Sequence, residues 1–227
     1  MRIEPLGDSA LLVRVVESFD AEESLDAVLR ASRQLELAKI PGVIELAPAY
    51  TTIGVFLDSA RCPPFDELRT SIDRALARDS APAASHATAP TIEVPVCYES
   101  EFAPDLDEVA RHTELSPEEI IRRHSAESYR VSCVGFTPGF PYLSGLPPEL
   151  ATPRRASPRK VIPAGAVAIG GTQTGIYPRR SPGGWNIIGR TPLRLFDVDR
   201  NPPALFRAGD RVRFRRISRL DFDAFAK

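Results

Sequence analysis

Ser181-Pro182-Gly183-Gly184-Trp185-Asn186-Ile187-Ile188-Gly189-Arg190-Thr191-Pro192 is the stretch on which the fold of this chain turns. The apolar run from Trp185 to Ile188 lies between a proline–glycine turn and a second breaker, so it reads as a short strand. The same pattern recurs on both sides, in Val167-Ala168-Ile169, Leu193-Arg194-Leu195-Phe196 and Arg211-Val212-Arg213-Phe214-Arg215. The last alternates strictly, which points Val212 and Phe214 inward and the three arginines outward. Short strands at close spacing after about residue 128 predict a β-barrel or a sandwich, and the pattern by itself leaves both open.

Upstream of this region, Thr91-Ile92-Glu93-Val94-Pro95-Val96 reads as an opening strand. Two short helices follow, one with Asp105 as N-cap and Glu108 behind it, the other starting at Ser116-Pro117-Glu118-Glu119. Residues 1–80 form a different pattern. Gly7-Asp8 marks a turn before the strand run Ala10–Val16, and a helix beginning at Asp20 carries Leu25, Val28, Leu29, Ser32 and Leu35 on one face. Pro41-Gly42 ends it. Strands Val43–Leu46 and Thr52–Leu57 follow around Pro48, then a second helix with Phe65, Leu68, Ile72 and Leu76. The expectation is an α+β class chain. A small N-terminal sheet domain with helices on one face (1–80) precedes the β domain (91–227). Residues 81–90, small, polar and bounded by proline, read as the linker, with His86 solvated in it.

The chain has 227 residues, of which 43% are hydrophobic and 26% charged, enough apolar material for an ordinary core. Twenty-two prolines against fourteen glycines favour turns and edges over long helices. No apolar run is long enough to span a bilayer, and Met1-Arg2 leads into a strand-like pattern rather than a signal peptide, so no membrane association is expected. Cys62, Cys97 and Cys133 are too scattered for a metal site or a disulfide framework and read as thiols in a reducing cytoplasm. The net charge of -1 conceals an asymmetry: residues 128–219 carry 16 Lys+Arg against 4 Asp+Glu. Such a block suits an anionic small molecule, a nucleotide or an acidic partner. No nucleic-acid motif accompanies it, and nucleic acid is not expected as a partner.

The densest segments run from Gly135 to Pro192. They are Gly135-Phe136-Thr137-Pro138-Gly139-Phe140-Pro141-Tyr142-Leu143, Pro153-Arg154-Arg155, Pro158-Arg159-Lys160-Val161-Ile162-Pro163-Ala164-Gly165, Gly170-Gly171-Thr172-Gln173-Thr174-Gly175-Ile176-Tyr177-Pro178, and the stretch already quoted. In this order they resemble the signature of the bacterial family of 5-oxoprolinase B subunits, related to allophanate hydrolase subunit 1 and the KipI kinase inhibitors. The resemblance runs from Pro5-Leu6-Gly7-Asp8 to Gly209-Asp210-Arg211-Val212-Arg213-Phe214. Asn186 departs from it, standing where many relatives carry glutamine. The resemblance implies a C-terminal cyclophilin-like β-barrel, a protein that works beside separate A and C subunits, and ATP-dependent opening of 5-oxoproline to glutamate. ATP would be a co-substrate, taken with magnesium, and no tightly bound cofactor is expected.

That reaction needs cations around phosphates and donors on a developing oxyanion. Arg159 and Arg190 are the candidate catalytic cations, with Gln173 to orient an amide or water. Arg154, Arg155 and Lys160 would bind substrate or nucleotide, and Tyr177, Trp185 and Phe140 would wall a pocket. These arginines are expected at the surface, removable with little effect on folding. Phe136 and Phe140 read equally well as core.

Other signals are missing. No Gly-x-x-x-x-Gly-Lys-Ser/Thr loop occurs, since Gly170–Gly175 lacks the lysine, and there is no Gly-x-Ser-x-Gly elbow or histidine pair at metal spacing. The chain alone is therefore expected to be inactive. His124, four residues after Ile120 on a helix, reads as structural or surface, and Gly183-Gly184 as a tight turn. Two further readings stay open. A KipI-like inhibitor would bind a sensor histidine kinase, and an allophanate hydrolase or urea carboxylase component would act on urea-derived substrates.

Overall fold

Leu25, Val28, Leu29, Ser32 and Leu35 form the buried stripe of helix α1 (Glu23–Ala38). The computed structural model describes residues 2–18, 22–78 and 91–225. It divides the chain into two compact units, Met1–Thr88 and Ala89–Lys227. The expected linker 81–90 with His86, and the helix start at Asp20, lie outside the described residues.

In the first unit, strands β1 (Arg2–Pro5), β2 (Ala10–Arg14), β3 (Val43–Ala49) and β4 (Thr52–Leu57) form an antiparallel sheet in the order β1-β2-β4-β3. Gly7, with φ +67, turns β1 into β2. Leu11, Val13, Ile53 and Val55 face a core shared with α1 and α2 (Phe65–Leu76). Helix α1 stops where Lys39 takes a left-handed conformation, φ 45, ahead of Pro41-Gly42. Pro48 lies in the edge strand β3, where a missing N–H is tolerated.

The second unit contains β5 (Thr91–Val96), α3 (Leu106–Thr113), α4 (Pro117–Ala126), β6 (Tyr129–Val134), β7 (Pro141–Ser144), β8 (Arg159–Ile162), β9 (Ala166–Gly170), β10 (Gln173–Ile176), β11 (Ser181–Gly183), β12 (Asn186–Arg190), β13 (Arg211–Arg216) and α5 (Arg219–Phe225). Seven of these strands form one sheet in the order β12-β9-β10-β7-β6-β13-β5. Its two ends meet: Cys97, just past β5, and Arg190, at the end of β12, exchange both backbone hydrogen bonds at 2.9 Å. That bridge nearly closes the sheet and decides for the barrel over the sandwich. Val212 and Phe214 point into its core with Val167, Ile169 and Ile188, as the alternation required. Leu193–Phe196 is not a strand. Its one ladder contact is the isolated bridge Phe196–Ala204, where the Leu205 N–H donates to the Leu195 carbonyl at 2.7 Å, and that carbonyl also accepts from Arg200 Nη2 at 3.2 Å. Pro192 and the Pro202-Pro203 pair opposite it leave few N–H donors for a longer ladder.

His124, on α4, is fully buried in this core. Its Nδ1 lies 2.9 Å from the Tyr98 hydroxyl and its Nε2 3.0 Å from Thr174 Oγ1, whose own proton goes to the Ala168 carbonyl at 3.0 Å. Only one arrangement of protons satisfies the chain: Tyr98 donates to Nδ1, and Nε2–H donates to Thr174. Desolvation holds the imidazole neutral, with its pKa pushed down to about 3.

Candidate functional site

Strand alternation generates two apolar clusters from one sheet. Val167 and Ile169 of β9 face the barrel interior, whereas Ala166 and Ala168 face a second cluster with Phe140, Ile162, Tyr177, Trp185 and Ile187. Over this outer face lies a ribbon made of β8 and β11, paired at Ser181–Ile162 and Gly183–Arg159. The rings interlock by their edges: Phe140 meets Tyr177 at 5.1 Å and Trp185 at 5.6 Å between centroids. Glycines make the fit. A Cβ on Gly170 would come within 2.6 Å of Trp185 Cγ, and one on Gly183 within 2.8 Å of Tyr177 Cε1. Gly183 thus gives room to a ring rather than a tight turn.

Asp105 anchors the other end of the ribbon. It occupies the N-cap position of α3 but makes no capping bond, contrary to the sequence expectation. Its carboxylate accepts instead from Arg155 Nη1 at 2.6 Å, from Arg159 Nη1 and Nη2 at 2.7 Å each, and from the Ile187 N–H at 2.8 Å. Charge-assisted bonds to two guanidinium groups outweigh a neutral cap for a carboxylate only 3% exposed. Ser116 does cap α4, accepting from the Glu119 N–H at 3.2 Å.

The structure sorts the candidate residues into separate groups. Arg155 and Arg159 neutralise Asp105. The expectation that Arg159 is a removable surface cation is therefore corrected, because its partner is buried. Phe140, Tyr177 and Trp185 are 2%, 2% and 6% exposed, so they pack on one another, and the Arg154 guanidinium lies 5.7 Å over the Trp185 ring. Burial pushes the Tyr177 hydroxyl pKa up, and a Trp185 backbone hydrogen bond draws it partly back. Lys160 is exposed on β8. Gln173 opens β10 opposite Gly170, and Gly171, with φ +67, makes the β9–β10 turn, so the glycine cluster builds a hairpin and not a phosphate loop. Arg190 belongs to the barrel seam, its Nε–H donating to the Ala164 carbonyl at 2.9 Å and its guanidinium 5.7 Å from the Phe102 ring.

Sequence reasoning missed Asp105 as the organiser of this face, and it left Phe136 undivided from Phe140. Phe140 is core, while Phe136 is 60% exposed with φ +65. The flanking Gly135 and Gly139 were the available signal for an unusual turn there. Among the described residues, no group of three or more His, Cys, Asp or Glu side chains is placed to hold a metal ion. No helix among them is long and apolar enough to cross a membrane.

A two-unit α+β chain with a nearly closed barrel-like sheet, its outer face capped by a short ribbon, defines the class of protein. The chain belongs to the family described as carboxyltransferase domain, subdomain C and D, whose model matches residues 1–206. It is 43% identical to the 5-oxoprolinase B subunit of Bacillus subtilis (strain 168), over 99% of this chain and 96% of the relative. It is 44% identical to the 5-oxoprolinase B subunit of Escherichia coli O157:H7, over 78% of this chain and 80% of that one. Crystal structures of TTHA0988 match with a TM-score of 0.77 and 37% identity, covering 92% of this chain but only 40% of the longer one. The Kluyveromyces lactis urea amidolyase matches at 19% identity with a TM-score of 0.72, covering 98% of this chain and 15% of the neighbour, which shows a shared fold.

Proposed function

We propose that this chain is the B subunit of an ATP-dependent 5-oxoprolinase and helps open 5-oxoproline to glutamate together with the A and C subunits. The observation that carries this reading is the 43% identity to the Bacillus subtilis protein over 99% of the chain. The fold supports work in an assembly, because the same unit is matched within the longer TTHA0988 and urea amidolyase chains.

A lactam carbonyl is a poor electrophile, so ATP would phosphorylate its oxygen and release ADP. One water adds to the carbon, the C–N bond breaks with the ring nitrogen taking a proton, and a second water releases phosphate from the resulting acyl phosphate. Fixed cations and amide donors stabilise the charge that develops. In this chain Arg190 and Gln173 are the proposed catalytic groups, with Arg154 and Lys160 as cations for phosphate or carboxylate. Arg155 and Arg159 hold the ribbon through Asp105, and Phe140, Tyr177 and Trp185 form its floor. ATP, with magnesium, is the co-substrate. Cys62, Cys97 and Cys133 are thiols rather than disulfides, which suits a reducing cytoplasm, where we place the protein.

Reconstitution tests this. The isolated chain should turn over no 5-oxoproline, and the mixture with the A and C subunits should release glutamate and phosphate together. A mixture that stays inactive, when the same A and C subunits work with their own B subunit, would sink the proposal.

A further inference from the structure

We infer that Phe102 and Phe222 are positioning residues for Arg190, clamping its guanidinium so that Nη1 and Nη2 are presented to an oxyanion of the substrate or nucleotide. Helix α5 buries a single side chain, Phe222. Leu220 and Phe225 of the same helix stay 82% and 52% exposed. The Phe222 ring lies 4.5 Å from that of Phe102. The Arg190 guanidinium lies 5.7 Å from the Phe102 centroid and 5.8 Å from the Phe222 centroid. Both distances fall within the reach of about 6 Å at which a ring face attracts a cation. The one ring that α5 contributes to the core is thus spent beside this guanidinium.

Arg190 is held at three levels. Its backbone exchanges both hydrogen bonds with Cys97 at 2.9 Å, its Nε–H donates to the Ala164 carbonyl at 2.9 Å, and the two rings hold its head. The clamp is itself fastened. The Arg219 N–H at the start of α5 donates to Glu99 Oε1 at 3.0 Å. Ser218 and Asp221 bond each other reciprocally, the Ser218 N–H to Asp221 Oδ2 at 3.2 Å and the Asp221 N–H to Ser218 Oγ at 3.1 Å.

Two cations share this cluster, and only one is neutralised. Arg219 lies 4.8 Å over the Phe102 ring, but it pairs with Glu101 and, through Nε at 2.9 Å, with Asp223. Arg190 is half-buried, and among the described residues no carboxylate pairs with it. Arg219 therefore secures the helix, and Arg190 keeps an uncompensated charge. With Nε occupied and the head packed, Nη1 and Nη2 remain as a planar fork that matches a carboxylate or phosphoryl group. A side chain locked in advance loses little further freedom when the anion arrives. The role of Arg190 in turnover rests on the B-subunit reading above.

Nitrogen–proton NMR of the isolated chain and turnover of the chain assembled with A and C subunits test this together. The Arg190 Nε–H should give a slowly exchanging signal in the wild type. Phe222→Leu keeps apolar bulk but not the ring face. It should speed that exchange at least about fivefold, the scale of one cation–π contact, while the backbone amides of Cys97 and Arg190 stay protected. The same variant should lower turnover at least about fivefold, yet cause no further loss in an Arg190→Ala background. Phe222→Tyr, which keeps the ring, should restore both readings. Leu220→Ala, on the exposed side of α5, should change neither. If Phe222→Leu does not fold, Phe102→Leu is read in the same way. The KM values separate the two sources of the oxyanion: a rise for 5-oxoproline names its carboxylate, a rise for ATP its phosphates. Unchanged Arg190 exchange in the leucine variant overturns the clamp. Equal fractional losses of turnover with and without Arg190 reduce Phe222 to packing and overturn its positioning role. Full turnover by Arg190→Ala overturns the role of the clamped cation and leaves the B-subunit reading intact. An inactive wild-type assembly, when the same A and C subunits work with their own B subunit, overturns that reading instead, and the exchange measurement still decides the clamp.

Discussion

Arg159 grips Asp105 with both terminal nitrogens, Nη1 on Oδ2 and Nη2 on Oδ1 at 2.7 Å each, joining the ribbon to the start of α3 across 54 positions of sequence. Arg155 adds a third bond from the same strip. The Asp105 side chain is 3% exposed while Arg159 keeps 26% of its side-chain surface, so removing the arginine strands the more costly partner.

Arg159→Ala should therefore destabilise the isolated chain, by about 2 kcal/mol, less than the ~3–5 kcal/mol typical of a broken buried pair because Arg155 remains. Asp105→Ala should cost a similar amount, and the double variant should cost clearly less than the two together. Urea unfolding of the four proteins measures the coupling. Additive losses would show that the pair does not hold the ribbon.

Gly170 has no room for a methyl group, since its Cβ would come within 2.6 Å of Trp185 Cγ. Gly170→Ala should displace the indole and cost about 1–3 kcal/mol, the range for overpacking. Trp185 is the single tryptophan in the chain, so its fluorescence should shift to the red in the variant. An unmoved spectrum with unchanged stability would contradict this packing.

His124 sets a pH dependence. Its folded pKa, about 3, lies below the ordinary value of 6.5. Between these values the unfolded chain binds the extra proton, so stability rises with pH and is lost as pH falls from 6.5 towards 3. Going from pH 7 to pH 5 should cost about 2 kcal/mol from this residue alone, at roughly 1.4 kcal/mol per unit. Urea midpoints of wild type and His124→Gln, compared at both pH values, isolate the difference. An imidazole that titrates near pH 6.5 by NMR in the native protein would disprove the burial argument.

Arg190 and Gln173 test the catalytic proposal. In the reconstituted enzyme Gln173→Ala and Arg190→Ala should each lower turnover at least tenfold, about 1.4 kcal/mol of barrier. Arg190→Ala should also lose some stability, because the guanidinium holds the Ala164 carbonyl and packs on Phe102. Arg190→Lys keeps a charge but not the fork, and should recover stability better than rate. Arg33→Ala, in an exposed pair with Glu36, should change neither.

Local pattern made much of this molecule readable from its residues. The stripe of α1 and the alternation of Val212 and Phe214 follow from short-range periodicity and burial. The Ser116 cap and the turn at Gly7 follow from one or two residues and their neighbours. Closure of the barrel did not follow, because it depends on Cys97 meeting Arg190, 93 positions later, and a strand's own pattern says nothing about its distant partner. The same limit governed the site. Asp105 resembles a helix cap because a cap is judged within four residues, yet Arg155 and Arg159 arrive from far along the chain and bind its carboxylate more strongly. Phe136 and Phe140 are indistinguishable as aromatic letters in a glycine-rich turn. Backbone conformation and the packing of the ribbon buried one ring and left the other exposed.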